Sequence, residues 1–76
     1  MSVEQRLRGV LEFVLGTEPN DLNSDAKIVD DFGADSLEQV ELLMAVEEEF
    51  GIEISSDEWV KVQTFGEIVT LVEGSL

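Results

Sequence analysis

Apolar residues recur in this chain at the spacing of amphipathic helices. Val3, Leu7, Val10, Leu11 and Val14 form one stripe, and Gly16 follows as a C-terminal stop. Phe65, Ile68, Val69, Val72 and Leu76 repeat the pattern at the other end. Between them, residues 36–50 read as a helix that stops at Gly51. Four segments open on a capping box, in which a hydroxyl accepts from the N3 amide while the N3 Glu or Gln reaches back to the N-cap amide. They begin at Ser2, Ser36, Ser55 and Thr64, with Gln5, Gln39, Glu58 and Glu67 as the N3 partners. The segment after Ser55, about residues 56–61, allows only a turn or two. Residues 16–35 hold Pro19, Asn20 and Asn23 and show no helical period, so a long loop is expected there. Leu22, Ile28, Val29 and Phe32 would anchor it to the core. The sequence shows no strand-like alternation and no internal repeat. The expectation is one all-α domain over residues 1–76, a four-helix bundle with three main helices, one short helix and a long first loop.

The segment 36–50 carries two apolar faces. At about 100° per residue, Leu42, Leu43, Val46 and Phe50 share one arc, the expected core face. Gln39 falls in the same arc near the helix start, where its amide can serve the cap. Roughly opposite stand Leu37, Val40 and Met44, interleaved with Glu41, Glu47 and Glu48. A helix in a small bundle needs one buried face. A second stripe either packs under the long loop or forms a docking surface. The three carboxylates favour docking, because buried stripes exclude unpaired acids. An adaptable methionine in an apolar centre with an acidic rim suits several partners.

Charge sharpens this reading. Eighteen acids against four bases give a net charge of −14, and no basic residue stands between Lys27 and Lys61. Eleven acids fall within that interval. Such a field repels nucleic acid phosphates and anionic membrane surfaces and attracts basic proteins. With 43% hydrophobic residues and clear periodicity, the chain is expected to fold rather than remain disordered. It has no cysteine and no histidine, which excludes disulfides, thiolate chemistry and every Ser-His arrangement. At 76 residues a domain buries only about 60% of its unfolded surface and has little room for an enclosed enzymatic cleft. The N-terminus carries no signal-peptide pattern and no run is long enough to span a membrane, so a cytoplasmic protein is expected.

Ser36 follows a glycine turn at the start of the second long helix. On its own such a serine is first of all an N-cap. It is no hydrolase nucleophile, since the Gly-x-Ser-x-Gly elbow and the activating histidine are both missing. However, Asp31-Phe32-Gly33-Ala34-Asp35-Ser36-Leu37 resembles the attachment motif of the acyl carrier proteins, usually Asp-[Leu/Phe]-Gly-x-Asp-Ser-Leu. The likeness continues through Val40-Glu41-Leu42 and Glu47-Glu48-Glu49-Phe50, and more loosely over nearly the whole chain. The form it resembles is the discrete bacterial type II carrier.

That resemblance implies that a phosphopantetheinyl transferase attaches the 4′-phosphopantetheine of coenzyme A to Ser36. The arm's thiol would carry acyl intermediates as thioesters to enzymes of fatty-acid or related biosynthesis. It also implies that Asp35, Leu37, Val40, Glu41, Met44, Glu47 and Glu48 form the surface gripped by basic acyl-processing enzymes. The core arc would be similar to the wall of the cavity that shelters the acyl chain. Trp59 departs from the common fatty-acid carriers, which have a small or polar residue there. It reads either as a core residue or as one that reshapes the cavity or its entrance. A monomer without a metal or catalytic residue is expected.

Two other readings compete. A calcium-binding EF-hand loop can be laid on Asp21, Asn23 and Asp25, but it breaks at Ala26, where the turn glycine belongs, and at Phe32, where the bidentate Glu belongs. The second is an interaction protein whose Ser36 is never modified. Against it stands the complete motif around Ser36, since docking alone would not require that serine. An enzyme is the least expected reading.

Overall fold

The computed structural model describes residues 2–17 and 22–76, so Pro19, Asn20 and Asp21 lie outside the described residues. Among the described residues five helices follow in order: α1 (Val3–Leu15), α2 (Ile28–Phe32), α3 (Ser36–Phe50), α4 (Ser56–Trp59) and α5 (Phe65–Ser75). The all-α class and the three main helices agree with the sequence reading. The loop of residues 16–35 does not stay irregular to its end, because α2 occupies its last third. Five residues cannot display a helical period, and α2 owes its place to its neighbours. Just before it, Lys27 makes an isolated antiparallel bridge with Thr64. There the Ile28 amide donates to the Gln63 carbonyl at 2.9 Å and the Phe65 amide to that of Ala26 at 2.9 Å. One step further, the Gly66 amide donates to the Ser24 carbonyl at 3.0 Å, and a Cβ on Gly66 would lie 2.9 Å from that oxygen. Glycine at 66 therefore lets the loop pass against the start of α5.

Capping boxes form at Ser2 with Gln5 and at Thr64 with Glu67, as expected. At Ser55 the hydroxyl accepts from the Glu58 amide, which caps α4. The box of α3 sits one residue earlier than the sequence pattern suggested, on Asp35 and Glu38. Both Asp35-x-x-Glu38 and Ser36-x-x-Gln39 satisfy the pattern, and the backbone selects the first.

Leu7 and Leu11 of α1, Leu42 and Val46 of α3, and Phe65, Ile68 and Val72 of α5 form the centre of the core. Leu22 and Ile28 close it from the first loop and α2. Helix α1 packs against both α3 and α5. Arg6 ties α1 to the end of α3: its guanidinium reaches the Glu49 carboxylate at 3.0 Å and the Glu49 carbonyl at 2.6 Å, and stacks 4.5 Å over the Phe50 ring. Helix α3 ends in three glutamates with no base of its own, against the sense of the helix dipole, and Arg6 offsets part of that conflict. Two residues assigned to core positions from the sequence are exposed. Val29, in α2, is 49% exposed, and Leu76 lies past the last turn of α5, at 67%.

Candidate functional site

The turn from α2 into α3 is built from three adjacent residues with different tasks. Gly33 adopts the left-handed conformation at φ 65° and returns its amide to the Val29 carbonyl at 2.8 Å, which stops α2. Ala34 is buried, and its carbonyl accepts from the Gln39 side-chain amide at 3.3 Å. Gln39 therefore serves the turn through this carbonyl and not through the N-cap amide. Asp35 then caps α3. Its carboxylate accepts from the Glu38 amide at 2.8 Å, while its own amide donates to the Glu38 carboxylate at 3.4 Å.

Ser36 is thereby relieved of the capping task that its sequence position suggested. It is the first helical residue, it is exposed, and among the described residues its hydroxyl makes no hydrogen bond. A side chain at this place lies among the unpaired amides that begin a helix, at the positive end of the dipole. The neighbouring acids Asp31 and Asp35 are both hydrogen-bonded to backbone amides, Asp31 to that of Lys27 at 2.7 Å. Anion attachment at Ser36 is thus possible electrostatically, and the open hydroxyl is reachable by another protein's active site. A phosphodiester arm fits this position.

The rest of α3 presents both faces that its pattern indicated. Leu42 and Val46 are fully buried, and Leu43 packs on the core edge. On the other side Leu37 (66%), Val40 (52%) and Met44 (56%) stand in solvent rather than under the first loop, so that alternative for the stripe falls. Glu41 and Glu48 are exposed beside them and make no hydrogen bond or ion pair among the described residues. Glu47 differs. It is half-buried, and its carboxylate accepts from the Ile54 amide at 2.8 Å, which holds the α3–α4 connection.

A hollow of about 400 Å³ opens between α2, α4 and the start of α5. Ile28, Val62, Ile68 and Trp59 supply its apolar lining, and Lys27, Asp30 and Gln63 its polar edge. From α3 only Gln39 reaches it. Leu42, Leu43, Val46 and Phe50, the arc expected to resemble a cavity wall, do not line this hollow and pack in or against the core. Trp59 is half-buried against the core and also lines this hollow. Sequence reasoning also passed over Phe13, whose ring is 90% exposed on α1. It lies on the polar side of the α1 pattern, and no motif marks it.

These features agree with what comparison to known proteins finds. Residues 5–72 match the family described as the phosphopantetheine attachment site. An acyl carrier protein of Solidesulfovibrio magneticus is 42% identical over 73 residues, covering 96% of this chain and 94% of that protein. One of Akkermansia muciniphila is 42% identical over 72 residues, covering 95% and 90%. The likeness thus runs through the first loop, α2 and α4 as well as through the motif before α3. With the attachment-site family spanning nearly its whole length, this chain belongs to the acyl carrier proteins, which carry acyl groups.

Proposed function

We propose that Ser36 is the attachment residue, that the arm comes from coenzyme A through a phosphopantetheinyl transferase, and that the cargo passes to basic acyl-processing enzymes. The observation that carries this reading is the division of labour between Asp35 and Ser36. Asp35 caps the helix, so the Ser36 hydroxyl is free for modification without cost to α3. When bound, the arm supplies the thiol that a cysteine-free chain lacks.

The chain's own part in loading is to present an oxygen nucleophile. It has no histidine, and the carboxylate adjoining Ser36 is held by the Glu38 amide. The base that removes the hydroxyl proton therefore belongs to the transferase. Leu37, Val40 and Met44 form the apolar centre of the docking face, and Asp35, Glu41 and Glu48 its charged rim. Glu47 shares the rim and also fixes the loop behind it. The hollow between α2, α4 and α5, with Trp59 in its wall, is where an acyl chain would be sheltered. The high negative charge and the −14 balance favour a monomer in the cytoplasm that meets its partners one at a time.

Fragment mapping tests the assignment. The wild-type chain is loaded by a transferase with coenzyme A and digested, and the peptides are sequenced by mass spectrometry. The adduct is expected on the peptide containing Ser36. An adduct on any of Ser2, Ser24, Ser55, Ser56 or Ser75 would reject the assignment while leaving the family membership intact.

A further inference from the structure

We propose that Phe13 is a docking residue, which extends the partner surface of α3 across to α1 and inserts into an apolar pocket on a basic acyl-processing enzyme. The inference rests on the carrier reading above and adds a second helix to its interface.

Among the described residues Phe13 is the most exposed of the large apolar side chains, at 90%, and is not part of the core cluster, which α1 serves with Leu7 and Leu11. A lone exposed apolar residue needs no explanation. Phe13, however, is not alone. With Val14 it borders a surface hollow of about 320 Å³ shared with Met44 and Ala45 of α3, and Glu41 and Glu48 line the same hollow. On its other side it borders a wider hollow with Gly9, Val10 and Ala45, edged by Glu48 and Glu49. The ring is therefore a ridge between two shallow depressions. The first contains Met44, an apolar centre of the α3 docking face. Gly9, one turn before Phe13, leaves the second open, since a Cβ there would meet nothing within 4 Å.

The rim identifies the occupant. Glu41 and Glu48 have no partner among the described residues, and Arg6, the basic member of this surface, is engaged by Glu49. A second copy of this chain would bring the same carboxylates face to face, each chain with a net charge of −14. An anionic lipid surface would be repelled in the same way. A protein surface with lysines or arginines around an apolar pocket fits both parts. The carboxylates steer the encounter and the phenyl ring anchors it.

The test uses wild type, Phe13→Ala, Phe13→Leu and Leu76→Ala, the last removing an exposed apolar side chain elsewhere. Each chain is loaded and its mass checked. Acyl-loaded forms are then assayed as substrates of a purified bacterial ketoacyl synthase and a ketoacyl reductase, and the unloaded forms as substrates of a phosphopantetheinyl transferase. For at least one of these enzymes Phe13→Ala should raise KM fivefold or more at unchanged kcat. Phe13→Leu should recover part of the loss and Leu76→Ala should match wild type. All four should share one melting temperature within a few degrees. A KM within twofold of wild type for all three enzymes would overturn the proposal, as would a loss confined to kcat. It would also be overturned if wild type sedimented as a dimer and Phe13→Ala as a monomer, since the face would then belong to a second copy. A wild-type chain that takes up no arm would sink the carrier reading, and this proposal with it, before any kinetics.

Discussion

Replacing Asp35 with alanine should destabilise the unmodified protein, and replacing Ser36 with alanine should not. The Asp35 carboxylate satisfies the Glu38 amide at 2.8 Å, and the reciprocal contact from its own amide to Glu38 spans 3.4 Å. Loss of such a cap costs about 0.5–2 kcal/mol, and loss of a carboxylate at a helix start a further ~0.3–1 kcal/mol. Because the site is exposed and the reciprocal contact is long, the lower half of the combined range is expected, about 1–2 kcal/mol. In a domain of this size each kcal/mol shifts the melting temperature by about 4–8 °C, so Asp35→Ala should melt roughly 5–15 °C lower. Ser36 is exposed and its hydroxyl bonds to nothing among the described residues, which places Ser36→Ala within about 0.5 kcal/mol of wild type. Thermal and urea unfolding followed by far-ultraviolet circular dichroism would measure both. Equal destabilisation by the two substitutions would mean that the serine hydroxyl shares the cap. The separation of folding from chemistry at this turn would then be wrong.

Gly66→Ala should destabilise, because the new Cβ meets the Ser24 carbonyl at 2.9 Å and that oxygen is held by the Gly66 amide. Overpacking of this kind costs about 1–3 kcal/mol, more than the ~1 kcal/mol that alanine gains over glycine in a helix. Gly9→Ala, in open space within α1, should instead stabilise by about 0.5–1 kcal/mol, and denaturant midpoints that rank the two the other way would contradict the packing argument. Glu67 accepts from the backbone amides of Gln63 and Thr64 and from the Thr64 hydroxyl, which together hold its pKa below the ordinary carboxylate value. A lowered folded pKa favours the charged form, so this contribution is present above the usual glutamate range and fades as pH falls through the lowered value. The stability gap between wild type and Glu67→Gln should therefore close on acidification, and a gap independent of pH would refute the linkage.

The long helices were legible because α1, α3 and α5 each carry a stripe long enough to fix a period, and the stops at Gly16 and Gly51 fall where the sequence places them. What escaped was decided by tertiary contact or by degenerate pattern. Helix α2 has too few residues for a period, and the bridge between Lys27 and Thr64 that supports it joins positions far apart in sequence. The cap of α3 shifted by one residue because the local text permits two boxes. That shift frees Ser36, which the motif had already singled out for modification. The exposed stripe of Leu37, Val40 and Met44 was readable from the acids among it. The hollow was not. The α3 arc of Leu42, Leu43, Val46 and Phe50 joins the core, and the lining of the hollow comes from α2, Trp59, Val62 and Ile68. Phe13 gave no signal because one phenylalanine on the polar side of a helix fits no pattern, and only its placement beside Met44 gives it meaning.

The central claim is that Ser36 carries the arm, and intact mass tests it most directly. Wild type and Ser36→Ala are incubated in parallel with coenzyme A and an active phosphopantetheinyl transferase, after both are confirmed folded by circular dichroism. The account predicts that wild type gains the mass of one phosphopantetheine and that Ser36→Ala gains none. Equal gain by both, or no gain by a folded wild type, would contradict it.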